Sequence, residues 1–250
     1  MIRGGSSQLE IEHGKALAVG DPEETWGWGT PAGKERVAAR VRWFRDICGL
    51  RPGIRVLECG CGTGIYTRSL AETGAEIVAV DISQDLLDYG RKRCSATNVT
   101  FKQVDLENPG NLEDTSFDVL IGVSILHHLE LPKALVAIRS KLKHGALFAF
   151  SEPNIMNPIN KYVMFTGDLD ARKRHGMSPT EMAFHPAELT SLFCEAGYHV
   201  DSIAHRDFMH PAVPKPLIPI VRGVQYLAER TPIVRRWSGS LWVNGYLEKI

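Results

Sequence analysis

Little in this chain ties it to a membrane, a disulfide framework or a charged polymer. It has only five cysteines, Cys48, Cys59, Cys61, Cys94 and Cys194. An odd count without paired spacing does not build a disulfide framework, so the expected compartment is a reducing one. No uninterrupted apolar run approaches the ~20 residues of a membrane span. The nearest, residues 211–227, is broken by Pro214, Lys215, Pro216, Pro219 and Arg222. The first 20 residues are polar, with Glu10 and Glu12 where a secretory signal needs an apolar centre. A cytoplasmic protein is expected. Lys plus Arg and Asp plus Glu both number 29, so no net charge draws the chain towards nucleic acid or anionic lipid. No aromatic-basic groove is evident either, and nucleic acid is not expected as a partner.

What is present is an ordinary globular composition. Hydrophobic residues make up 44% and charged residues 23% of 250, which excludes wholesale disorder and allows one large α/β domain with a sizeable core. Residues 1–30 are polar and Gly-rich, with Trp26 and Trp28 standing out. Val37, Val41, Phe44, Ile47 and Cys48 recur at helical spacing, so a helix is expected over 32–50. Strands are then expected at 55–59, 76–80, 99–104, 117–123 and 146–151. Between them fall helices through Leu70, from Gln84 to about Cys94 behind a Ser83 cap, and from Pro132 to near His144-Gly145. Further on, a helix at 186–196 leads to strands at 199–205 and 240–247. This alternation predicts a doubly wound α/β fold. The organisation expected is a single domain over 1–250. It comprises an N-terminal cover and helix (1–50), a core (51–152) and two insertions, 153–185 and 207–237.

The central signal is Val56-Leu57-Glu58-Cys59-Gly60-Cys61-Gly62-Thr63-Gly64. Glycines at alternate positions permit positive φ and let backbone approach a ligand with no Cβ in the way. A turn at a helix N-terminus presents N–H groups to an anion, while Glu58 can pair a cation. A ligand with both an amine and a carboxylate fits this better than a pyrophosphate. The dinucleotide fingerprint would need glycine where Ile65 stands. Asp81 ends the second strand, where a carboxylate can accept both hydroxyls of a ribose. Asp105 ends the third, placed to accept from an adenine amino group, and Ile82 and Leu106 would wall the base. Cys59 and Cys61 lack the spacing and further ligands of a zinc site, and no metal is expected.

This run resembles class I S-adenosylmethionine-dependent methyltransferases of the small-molecule "type 11" group, taken together with Asp81, Asp105 and the segment Phe117-Asp118-Val119-Leu120…Leu126-His127-His128-Leu129. The likeness spans residues 35–152. It implies a Rossmann-like sheet of seven strands, six parallel and the last antiparallel. It implies S-adenosylmethionine as cofactor, held at Glu58, Gly60, Cys61, Gly62 and Gly64 on the methionine side. Asp81 would bind the ribose and Asp105 the adenine amine, with Ile82 and Leu106 walling the base, and Val123 would line the pocket. Trp26-Gly27-Trp28-Gly29-Thr30-Pro31, with residues 34–40, resembles the family's cover over the cofactor.

Methyl transfer from a sulfonium is an in-line displacement with a neutral leaving group, so alignment and exclusion of water do most of the work. A base is needed only when the acceptor must lose a proton. His128, His127 and Glu152 lie near the ends of the fourth and fifth strands and are the candidates. Asp168 and Asp170 match a short metal-binding pattern, and Arg172, Lys173, Arg174 and His175 could clamp an anionic substrate; a solvated surface is the favoured account of both. Residues 211–250 hold six Lys or Arg against Glu229 and Glu248, with many apolar residues interleaved. That pattern suits a lid, a peripheral membrane contact over 211–237 or a packing arm in a homodimer. The leading functional expectation is methylation of a small organic acceptor, foremost at oxygen. N- or C-methylation of a lipid-like or natural-product acceptor stands next. A nicotinamide-dependent oxidoreductase and a non-catalytic cofactor-binding protein are the alternatives from other classes.

Overall fold

The computed structural model describes residues 7–165, 177–178 and 182–248. Seven strands form one sheet: β1 (Arg55–Cys59), β2 (Glu76–Asp81), β3 (Val99–Gln103), β4 (Phe117–Val123), β5 (Leu142–Pro153), β6 (Tyr198–Arg206) and β7 (Ser240–Leu247). Their order is β3-β2-β1-β4-β5-β7-β6. β7 runs antiparallel to both β5 and β6, and the other pairs are parallel, so six strands share one direction. This is the α/β sheet expected, with the seventh strand reversed.

The apolar runs of β1 and β2 are buried on both faces because helices cover both. On one side Val37 and Phe44 of α3 (Pro31–Cys48) and Leu70 of α4 (Ile65–Ala71) pack on Val56, Ile77, Ala79 and Ile121. α5 (Gln84–Arg93) adds Leu87 to that layer. On the other side Leu135 and Ile138 of α6 (Leu131–Arg139) and Phe193 of α8 (Pro186–Glu195) pack on Leu57, Val78, Leu120 and Phe148. The parallel order reverses at β1, which lies between β2 and β4. Cys59 is level with Val80 and Gly122, and Asp81 with Gln103. The strand ends after β1, β2, β3 and β4 therefore open on one crevice, where open α/β sheets bind ligands.

One expected boundary is corrected. α6 stops at Arg139 and not near His144-Gly145, because Phe117 N–H takes the Lys141 carbonyl and Leu142 already pairs with β4. Residues 143–146 bulge out of the sheet before pairing resumes at Leu147, and their polar Lys-His-Gly run mimics a helix end. The polar N-terminal region folds as two helices, α1 (Ser7–Ala18) and the short α2 (Pro22–Thr25), the second capped by Asp21 accepting from the N–H groups of Glu23 and Glu24. The proline-rich stretch 207–237 contains α9 (Ile218–Arg230), whose Pro219 sits in the first turn where its missing N–H costs nothing. α7 (Pro158–Phe165) opens the other insertion. No helix among the described residues is long and apolar enough to cross a membrane.

Candidate active site

The turn between β1 and α4 depends on its glycines. Gly60, Gly62 and Gly64 have φ of 61°, 51° and 69°, in the left-handed region. A Cβ on Gly60 would stand 2.5 Å from the Ile125 side chain. The turn folds over the end of β2: Gly62 N–H donates to one oxygen of Asp81 at 2.8 Å and Ser83 N–H to the other at 2.9 Å. Burial raises the Asp81 carboxyl, and those two N–H groups work against it. Glu58 is 3% exposed, and its Oε2 has no hydrogen-bond partner. Burial pushes its carboxyl up to about 7, against the opposing effect of the Thr67 side chain, and Asp81 nearby adds to the rise. A buried carboxylate oxygen without a partner is costly to the fold.

Above the turn lies a cavity of about 440 Å³, within the range of small-molecule sites. Of the residues singled out from sequence, Gly60, Cys61, Gly62, Asp81, Ile82, Asp105, Leu106, Val123 and His128 line it. Glu58 and Gly64 are not on its wall; they stand behind the turn. Asp105 is anchored at the end of β3 by Glu107 N–H at 2.9 Å and Asn108 Nδ2 at 3.1 Å. The His128 Nδ1 lies 3.2 Å from Glu10 Oε2 and 3.3 Å from the Ser178 hydroxyl.

His127 and Glu152 do not face the cavity. Both are fully buried, with His127 Nδ1 2.7 Å from Glu152 Oε2. The other Glu152 oxygen accepts from the N–H groups of Ile125 and Leu126, each at 3.0 Å. The pair fastens the loop after β4 to the end of β5 and so acts on His128 through the backbone. Asp168, Asp170, Arg172, Lys173, Arg174 and His175 lie outside the described residues.

Sequence reasoning placed residues 34–40 in a cover over the cofactor but missed the charged cluster on that opposite wall. Arg36 and Arg40, one turn apart on α3, reach the cavity beneath Trp28 and share Asp207. Arg36 grips Asp207 through Nε at 3.1 and 3.0 Å and Nη2 at 2.8 Å. Arg40, 2% exposed, reaches Asp207 at 2.7 Å and the Ser151 and Ser240 hydroxyls at 3.0 Å. Burial alone would raise the Asp207 carboxyl, but Arg40 and Arg36 outweigh it and hold it at about 2. Tyr66 also lines the cavity, its buried hydroxyl without a partner. The i, i+4 arginines were visible in the sequence. Their partner, 167 residues away from Arg40, was not.

Comparison with known proteins agrees with this geometry. Residues 56–145 match the methyltransferase domain family. The ubiquinone biosynthesis O-methyltransferase of Methylococcus capsulatus is 33% identical over 105 residues, 41% of this chain and 44% of that protein. The enzyme of that name from Acinetobacter baumannii (strain AYE) is 26% identical over 189 residues, 70% of this chain and 79% of its own length. The S-adenosylmethionine-dependent methyltransferase of Mesorhizobium loti superposes with a TM-score of 0.62 at 18% identity, covering 84% of this chain and 99% of that one, a likeness of fold. The first of these matches thus spans less than half the length of the relative. Residues 56–145 thus match a methyltransferase domain, on a fold shared with S-adenosylmethionine-dependent methyltransferases.

Proposed function

We propose that the chain is an S-adenosylmethionine-dependent methyltransferase acting on a small organic metabolite, with transfer to oxygen the leading reaction. The observation that carries this reading is the set of three acids, Glu58, Asp81 and Asp105, around a left-handed glycine turn, with a Glu58 oxygen left unpaired. S-adenosylmethionine supplies an electrophilic methyl group on a sulfonium whose thioether departs neutral. Glu58 stands behind the turn to balance the ammonium group, whose approach favours the ionised carboxylate. The second lone pairs of the Asp81 oxygens accept ribose hydroxyls, the first being used by Gly62 and Ser83. Asp105 accepts from the adenine amine between Ile82 and Leu106.

His128 is the cavity-wall group we assign to take a proton from a hydroxyl acceptor, its Nδ1 held 3.2 Å from Glu10 Oε2. His127 and Glu152 act as positioning residues for its loop. Transfer to oxygen is supported by the names of the two curated relatives. Calorimetry with S-adenosylmethionine tests the first half, and absence of binding overturns it. The second half is tested by S-adenosylhomocysteine release with phenolic acceptors. His128→Asn should lower kcat by roughly 10²- to 10⁴-fold with cofactor affinity unchanged.

A further inference from the structure

The exposed face of α9 is apolar. Leu217, just ahead of the helix, with Ile220, Val224 and Leu227, follows an i, i+3, i+7, i+10 spacing and forms one stripe, with Ile220 64% and Leu227 66% exposed. The helix is held from its other face by Ile218 and Val221 on Ala32 and Met209. The following turn (Val234–Trp237) continues this surface with Ile233 before it and Trp237 at its end, both exposed. The Trp237 carbonyl accepts from Asn157 Nδ2 at 2.6 Å, and the Arg236 carbonyl from Asn154 Nδ2 at 2.9 Å. Those bonds place α7, with its own exposed Ile159 and Tyr162, beside the same turn. Large apolar side chains exposed together in this way mark a contact surface.

The charges around it choose the partner. Lys215, Arg235 and Arg236 are exposed at the two ends of α9 and form no ion pair among the described residues. Arg222 and Arg230 flank the stripe on the solvent side, the first bridged to Glu35 and the second stacked on Tyr226. A second copy of this chain would bring like charges together over the apolar stripe. An anionic lipid surface would instead bury the stripe at headgroup depth and neutralise the cations, with Trp237 and Tyr162 at the level such rings prefer.

We infer that the face formed by α9, the 234–237 turn and α7 docks on an anionic phospholipid membrane. The inference is independent of the methyl-transfer reading. The docked face carries part of the cavity rim, since Asn160 of α7 and Gly239, two residues past Trp237, both line the cavity and are bonded to each other at 2.9 Å.

The test is co-sedimentation of the full chain with phosphatidylcholine vesicles, with and without phosphatidylglycerol. The protein should pellet only with the anionic vesicles, and added salt should weaken the binding. Arg235→Glu with Arg236→Glu should lower partitioning by roughly 30-fold, and Ile220→Ser with Leu227→Ser should lower it comparably. Neither variant touches buried side chains, and unchanged melting curves will show that both fold. A wild type that stays in the supernatant with anionic vesicles overturns the inference, as does binding indifferent to both variants. So does a solution dimer that Ile220→Ser with Leu227→Ser converts to monomer, which would give the face to a second copy.

Discussion

Glu58 and Asp207 are both buried carboxylates, and their environments push them in opposite directions. With its folded value raised from the ordinary 4.5 to about 7, Glu58 stabilises the ligand-free fold only while protonated. That contribution is complete below about 4.5 and is lost as pH rises through about 7, a change of about 3 kcal/mol. Glu58→Gln should therefore stabilise the ligand-free protein at alkaline pH, read from urea midpoints, while weakening S-adenosylmethionine binding by about 1–3 kcal/mol. A variant that binds S-adenosylmethionine as tightly as wild type would remove Glu58 from the cofactor site. Asp207 is held at about 2 against its ordinary 3.8, so its contribution is present above about 3.8 and lost as pH falls through about 2. That amounts to about 2 kcal/mol. Asp207→Asn should cost more, about 3–5 kcal/mol at neutral pH, because Arg40 would remain buried with its charge uncompensated. Equal urea midpoints for wild type and variant at neutral pH would refute this.

At the scale of elements, α1 is a wall of the site with little room to spare at one crossing. It crosses α5 at Gly14, where an added Cβ would stand 2.4 Å from the Ser83 hydroxyl that caps α5. Its Ser7, Glu10, His13 and Leu17 line the cavity. Gly14→Ala favours the helix intrinsically by about 1 kcal/mol yet forces α1 away from α5. The expected result is a melting temperature near wild type with cofactor affinity reduced several-fold. An affinity equal to wild type by calorimetry would show that α1 is no part of the cover. α1 also marks where the sequence ceased to be legible. The β1 and β2 runs, the turn glycines and the two strand-end acids announce themselves because period, φ and charge are each dictated locally. The polar α1 carries only a weak apolar stripe and is held by contacts with α5. α9 hid behind prolines that fall in its first turn, and the bulge at 143–146 imitated the end of α6. The Arg36–Arg40–Asp207 cluster joins α3 to the chain after β6, a pairing no local pattern encodes. His127 and Glu152 had residue types suited to catalysis, and only their burial against each other shows that they hold a loop.

For the molecule as a whole, the cavity is bounded by α1, α3, four strand ends and the residues just before β7, so a ligand there ties together parts of the chain far apart in sequence. Binding to the folded state alone adds RT ln(1 + [L]/Kd), about 2.7 kcal/mol at a hundredfold excess over Kd. For a chain of 250 residues that corresponds to a rise in Tm of roughly 5–11 °C. S-adenosylhomocysteine should produce a comparable rise at the same multiple of its own Kd, since in the proposed site Asp81, Asp105 and Glu58 would meet groups common to both ligands. NADH should produce none, because Ile65 stands where the dinucleotide turn requires glycine and Gly62 is engaged with Asp81. Asp81→Ala separates a site effect from a general one. Its own Tm should fall modestly with the loss of two N–H acceptors, and the ligand-induced rise at the wild-type concentration should largely vanish. A rise with NADH equal to that with S-adenosylmethionine, or an undiminished rise in Asp81→Ala, would place the ligand elsewhere than at the β1–β2–β3 strand ends.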